Sequence, residues 1–143
     1  MELHRIFDLS IYYWLSGILP SSINVEDGFP ETKLKLPTVS VTQLDITGVP
    51  FELGGCERDK LFWRIDVFAT NKVQRDALAS LIYRTLKNNI PVYNYDEGFE
   101  HPSHIGTLLV SKRQSRPVHT FENLVDKLYW RSAITFFTQY QPI

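Results

Sequence analysis

One stretch constrains this chain more than any other. From Leu61 to Thr70 the residues run Leu-Phe-Trp-Arg-Ile-Asp-Val-Phe-Ala-Thr, aromatic and β-branched with a period of two. That alternation predicts a strand with Trp63, Ile65, Val67 and Ala69 on one side and Phe62, Arg64, Asp66 and Phe68 on the other. Asn71 follows as a helix N-cap, and Gln74 completes capping-box spacing. Val73, Ala77, Leu78, Leu81, Ile82 and Leu86 then recur at helical spacing, while Arg75, Asp76, Arg84 and Lys87 form the polar side. Asn88-Asn89 and Pro91 end this helix. A stripe of that width faces a core, so the helix is expected to pack on the sheet that its preceding strand belongs to.

The flanking segments extend the pattern. Leu3, Ile6, Phe7, Ile11, Trp14 and Leu15 predict an amphipathic helix over about 3–16, closed by Gly17 and Pro20. Ser21 to Leu36 holds turn signals at Ser21-Ser22, Asp27-Gly28 and Phe29-Pro30, and reads as a long connector. After Pro37 a strand is expected over 38–46, with a change of phase near Gln43 that suggests a bulge. Gly48, Pro50, Gly54 and Gly55 then read as a long turn joining it, antiparallel, to the 61–70 strand. Further strands are expected over 105–112 and 128–140, the latter with Trp130, Ile134, Phe136 and Tyr140 on one parity. A short helical turn starting at Thr120 is expected between them. The fold class that follows is α+β: an antiparallel or mixed four-stranded sheet with helices packed on one face.

Length and charge bound the function. At 143 residues the chain is expected to form one domain spanning 1–143. A formal charge of -1 argues against a dominant nucleic-acid footprint. The lone Cys56 forms no internal disulfide and anchors no multi-cysteine zinc site. No stretch has the roughly 18 uninterrupted apolar residues of a membrane span, and no cleavage site follows the first apolar run. A soluble intracellular chain with no membrane association is the expectation.

The chemistry-bearing residues do not assemble into a catalytic set. His101, His104 and His119 have metal-ligand types without metal-site spacing. Cys56 in Gly54-Gly-Cys-Glu57 lacks an orienting partner for nucleophilic work, and Gly54-Gly55 is followed by no Lys-Ser/Thr, as a phosphate loop requires. Glu31-Thr-Lys33 has the acid-x-lysine spacing of some metal-dependent nucleases, but no strand carries a carboxylate pair upstream. No enzyme activity, cofactor or metal is therefore expected. What remains are opposite charges in different parts of the chain. Asp96, Glu97 and Glu100 form an acidic loop with Tyr93, Tyr95 and Phe99 interspersed, and Lys112, Arg113 and Arg116 form a basic cluster. Both groups suit subunit or partner contacts, and the aromatics suit either an interface or burial on the chain's own sheet.

The order of elements resembles a known family. An N-terminal amphipathic helix, a long connector, a strand opening Leu36-Pro-Thr-Val-Ser-Val-Thr, a Gly-rich turn, the strand Phe62-Trp-Arg-Ile-Asp-Val-Phe-Ala, a capped helix from Asn71 to Asn88 and an aromatic last strand are similar to tail terminator and related neck (head–tail connector) proteins of long-tailed bacteriophages. That resemblance implies a structural virion protein of the neck or tail, made in the host cytoplasm. Its subunits would form a homo-hexameric ring that caps the tail tube and joins tail to head. The implied partners are further copies of the chain, the tail tube protein and a head-completion or connector protein, with DNA passing through the ring without specific binding. The alternatives are an adjacent head-completion or stopper subunit and, from another class, a small metal-dependent phage nuclease. In the ring reading, Asp96, Glu97 and Glu100 of one subunit face Lys112, Arg113 or Arg116 of the next.

Overall fold

The computed structural model describes residues 3–28, 35–50, 57–96, 98, 100–118 and 130–143. Their order is α1 (Leu3–Ile18), β1 (Asn24–Asp27), β2 (Thr38–Pro50), β3 (Glu57–Ala69), α2 (Lys72–Thr85), a 3-10 turn (Leu86–Asn88), β4 (Ile90–Asn94), β5 (Ser103–Val118) and β6 (Trp130–Pro142). The strands form one sheet in the order β1-β2-β3-β6-β5-β4. β1 and β2 pair in parallel and every other neighbouring pair is antiparallel. The architecture is α+β with a mixed sheet, as expected, but the sheet has six strands where four were expected. Among the described residues no helix is long and apolar enough to cross a membrane.

The period-two stretch does what its alternation requires. β3 sits in the sheet between β2 and β6. Trp63, Ile65, Val67 and Ala69 are all buried on its inner face. Val39 and Val41 of β2 lie opposite Val67 and Ile65, and Ile134 and Phe136 of β6 lie opposite Ile65 and Trp63. The Trp63 indole N–H donates to the Thr138 hydroxyl at 2.8 Å, so the largest inner side chain leaves no orphan donor. Both helices pack on this inner face: Ile6, Phe7, Ile11 and Leu15 of α1 join Leu78 and Ile82 of α2 in one apolar cluster. Burying a side chain of this size stabilises the fold by about 1.5–3 kcal/mol relative to exposure.

The capping expectation for α2 holds. The Asn71 side chain accepts from the Gln74 N–H at 2.8 Å, and Gln74 returns the contact to the Thr70 N–H at 2.9 Å, one residue before the cap. The stripe, however, is rotated from the one expected. Val73 is 79% exposed and Ala77 is exposed, while Arg75, placed on the polar side, is buried at 5%. The observed contact line runs Arg75-Leu78-Ala79-Ile82-Leu86, and Leu81 packs against its margin. Arg75 is accommodated because its guanidinium lies 5.3 Å from the Trp130 ring and its Nε donates to Asp76.

The remaining corrections concern strand extent. The bulge falls where the phase change put it, between Gln43 and Asp45. β2 then continues through Gly48 to Pro50, pairing with Asp59 and Glu57, where a turn was expected. The connector holds a strand, β1, and the segment read as the exit from α2 holds another, β4. β5 continues past Lys112 to Val118 by way of a bulge between Ser111 and Gln114. Lys112, at φ 50°, occupies the left-handed region there. The helical turn expected from Thr120 lies outside the described residues.

Candidate assembly surfaces

Of the nine expected contact residues, the seven that are described separate into three places. Tyr93 and Tyr95 sit at the end of β4 against α1. Tyr95 is 7% exposed and so belongs to the interior, not to an exposed loop. Its ring lies 5.3 Å from Tyr13 of α1. Desolvation there, reinforced by Tyr13, pushes its hydroxyl above the ordinary tyrosine range. Tyr93 is half-buried, its ring 5.4 Å from His104 and its N–H donating to the Ser10 hydroxyl at 3.2 Å. Ser10, Tyr13, Trp14, Pro91, Tyr93 and Tyr95 line a shallow cleft of about 130 Å³, the size of one side chain.

Asp96 and Glu100 follow in the β4–β5 turn. Asp96 donates its backbone N–H to the Asn94 side chain at 2.9 Å, and Gly98 closes the turn on the Tyr95 carbonyl at 3.0 Å with φ 106°. That φ is one that residues with a Cβ rarely adopt. Asp96 and Glu100 are exposed, and Glu97 and Phe99 lie outside the described residues.

The three basic residues are on a strand, not in a loop, and they do not form one cluster. β5 alternates, and its bulge resets the alternation. Lys112 extends over the Phe137 ring at 5.9 Å, on the face away from the helices. Arg113 goes the other way: its guanidinium lies 4.3 Å from the Tyr83 ring and donates to the Tyr83 carbonyl at 2.5 Å. Arg113 thus ties the bulge to α2. Arg116, in register with Ala133, returns to the outer face beside Gln114.

That outer face carries residues that charge-run reading missed. Phe62 and Phe137 stack at 4.6 Å across β3 and β6, and the Lys60 ammonium lies 4.6 Å from the same Phe137 ring. Further along β3, Asp66 is fully buried and accepts from Arg64 at 2.8 Å and from Arg131 at 2.7 Å. Among the described residues the outer face is therefore cationic and aromatic, with one enclosed carboxylate. Strand parity from Lys60 to Phe68 contained this signal, but only the β3–β6 register brings Phe137 and Arg131 alongside.

A second charged group joins α1 to the sheet edge. Arg5 is hydrogen-bonded to Asp27 of β1 and lies 4.0 Å from Asp8. The bond to Asp27 holds the Arg5 guanidinium more firmly charged. Burial, and then the neighbouring Asp27 charge, push the Asp8 carboxyl up to about 6.

Of the other candidates, His101 is exposed and His104 is engaged with Tyr93, whereas His119, Cys56, Glu31 and Lys33 lie outside the described residues. Among the described residues no group of three or more His, Cys, Asp or Glu side chains is arranged to hold a metal ion.

No family model matches the chain, and no curated protein is detectably similar to it in sequence. Its fold is similar to that of a chain in the solved virion of a native gene transfer agent particle. The TM-score is 0.50 at 13% identity, over 93% of this chain and 92% of that one. At that identity the likeness is one of fold.

Proposed function

We propose that this protein is a structural component of a phage-like virion, a tail-terminator-type subunit that forms a ring at the neck or tail. One observation carries the reading: nearly the whole chain shares its fold with nearly the whole of a chain from a gene transfer agent virion. The order of elements that resembles tail terminators supports the finer role. In this reading the subunit is not an enzyme. It works through contacts with its own copies, with the tail tube protein and with a head-completion or connector protein, while DNA passes through the ring.

Electron microscopy and native mass spectrometry of the purified protein, alone and mixed with its tail tube protein, test the proposal. Closed rings of about six subunits that cap tube ends are expected. A monomer that ignores the tube and cuts DNA in the presence of a divalent metal would overturn it.

A further inference from the structure

We infer that the outer sheet face, centred on Lys60, Phe62, Lys112 and Phe137 with Arg116 beside it, receives the acidic β4–β5 turn of a second copy of this chain. The inference rests on the ring proposed above and names the contact that closes it. Two ammonium groups share one ring here, Lys60 at 4.6 Å and Lys112 at 5.9 Å from the Phe137 centroid. Among the described residues neither has a carboxylate partner. Two like charges gathered on one partly buried aromatic surface repel each other, and a carboxylate arriving between them relieves that repulsion while keeping the cation–π contacts.

The chain carries matching anions at the other end of β5 from Lys112. The turn with Asp96 and Glu100 lies just before Ser103, where β5 begins. From Ser103 to Lys112 the strand advances about 30 Å, several times the reach of an ion pair. Unlike surfaces at separate places on one molecule make a heterologous contact, the kind that closes into a ring. The β4 edge offers a second copy no ladder to extend. Pro91 has no N–H to offer, and the Tyr93 N–H is already given to Ser10, so no strand of a second copy extends the sheet there. Arg113, engaged with Tyr83, takes no part in the intersubunit contact.

Zero-length carbodiimide cross-linking of the assembled protein, read by mass spectrometry, tests the contact directly. Links from Lys60 or Lys112 to Asp96 or Glu100 between subunits are expected. Two variants extend the test: Lys60→Glu with Lys112→Glu, and Asp96→Lys with Glu100→Lys. Each alone should need about tenfold more protein to assemble at low salt, as expected for exposed ion pairs turned to repulsions. Mixed in equal amounts, the two should assemble like the parent by alternating around the ring. That recovery also shows that both variants fold. Normal rings from either variant alone, without those cross-links, would overturn this contact and leave the ring standing. A parent that never assembles would overturn both. Duplex DNA binding by the parent that is lost in Lys60→Glu with Lys112→Glu, with assembly unchanged, would assign the face to nucleic acid instead.

Discussion

Asp66→Asn tests whether the buried charge on the outer face is a closed unit. The carboxylate is fully buried between Arg64, 29% exposed, and Arg131, 18% exposed. One oxygen accepts from Arg64 Nε at 2.8 Å, and the other accepts from Arg131 Nη2 at 2.7 Å and Nε at 3.1 Å. Asparagine keeps one acceptor and turns an NH2 group toward the other arginine, so one guanidinium loses its partner. Removing one member of a buried pair costs about 3–5 kcal/mol, and the partial exposure of both arginines lowers this to about 2–4 kcal/mol. For a chain of 143 residues that is a fall in Tm of about 7–13 °C. Differential scanning calorimetry at pH 7, with urea midpoints as a second measure, reads it. A fall of less than about 2 °C would refute the reasoning. Replacing the set with Arg64→Met, Asp66→Leu and Arg131→Met should recover most of the loss, because neutral side chains of similar volume carry no desolvation cost.

Other positions give independent checks. Asp8 has a raised folded-state pKa, so its contribution is fully present below about pH 4 and is lost as pH rises through about 6. Asp8→Asn should therefore stabilise by about 1–2 kcal/mol at pH 8 and by much less at pH 4, as read from urea midpoints at both. Gly106→Ala places a Cβ 2.5 Å from the Gln141 carbonyl oxygen and should cost about 1–3 kcal/mol; an unchanged Tm would show that the β5–β6 ladder yields there. Tyr95→Ala should cost about 3–5 kcal/mol in thermal denaturation, as expected for a buried aromatic, where an exposed contact residue would leave the fold intact. Val73→Ala should change stability by less than about 0.5 kcal/mol, and a larger loss would restore Val73 to the core.

What the chain discloses in advance depends on where each element sits in the sheet. β3, paired on both sides and buried on its inner face, shows itself through alternation, and α2 shows itself through its cap. The two strands that escaped, β1 and β4, are the two edges of the sheet. Edge strands are short and tolerate Asp27-Gly28 or Pro91, because one side of their backbone need not join a ladder, so they carry the residues that ordinarily signal turns. The far half of β2 is hidden for a related reason: Gly48 and Pro50 fall there, beyond the reach of β1. The rotation of the α2 stripe was not legible, since nothing local indicates that Trp130, about 55 residues later, offers Arg75 a ring to lie against. The expected surface residues were half legible. Their charges are plain in the order of residues, but the face each one occupies depends on a bulge.

That bulge gives β5 something like a reading frame. Residues 112 and 113 together span one position of β6, which returns Gln114 to the register of Thr135 and Arg116 to that of Ala133. Deleting Lys112 would leave the ladder before Ser111 untouched and, if the remaining pairs closed up without rearrangement, the residues from Gln114 onward would keep their faces. Filling the bulge instead, by straightening Lys112 from φ 50° into ordinary strand geometry, would shift every later residue by one and send Arg116 inward. A single backbone angle therefore decides how many cations the outer face displays. Changes to the surface chemistry of this subunit can enter at that one joint without disturbing the core half of the strand.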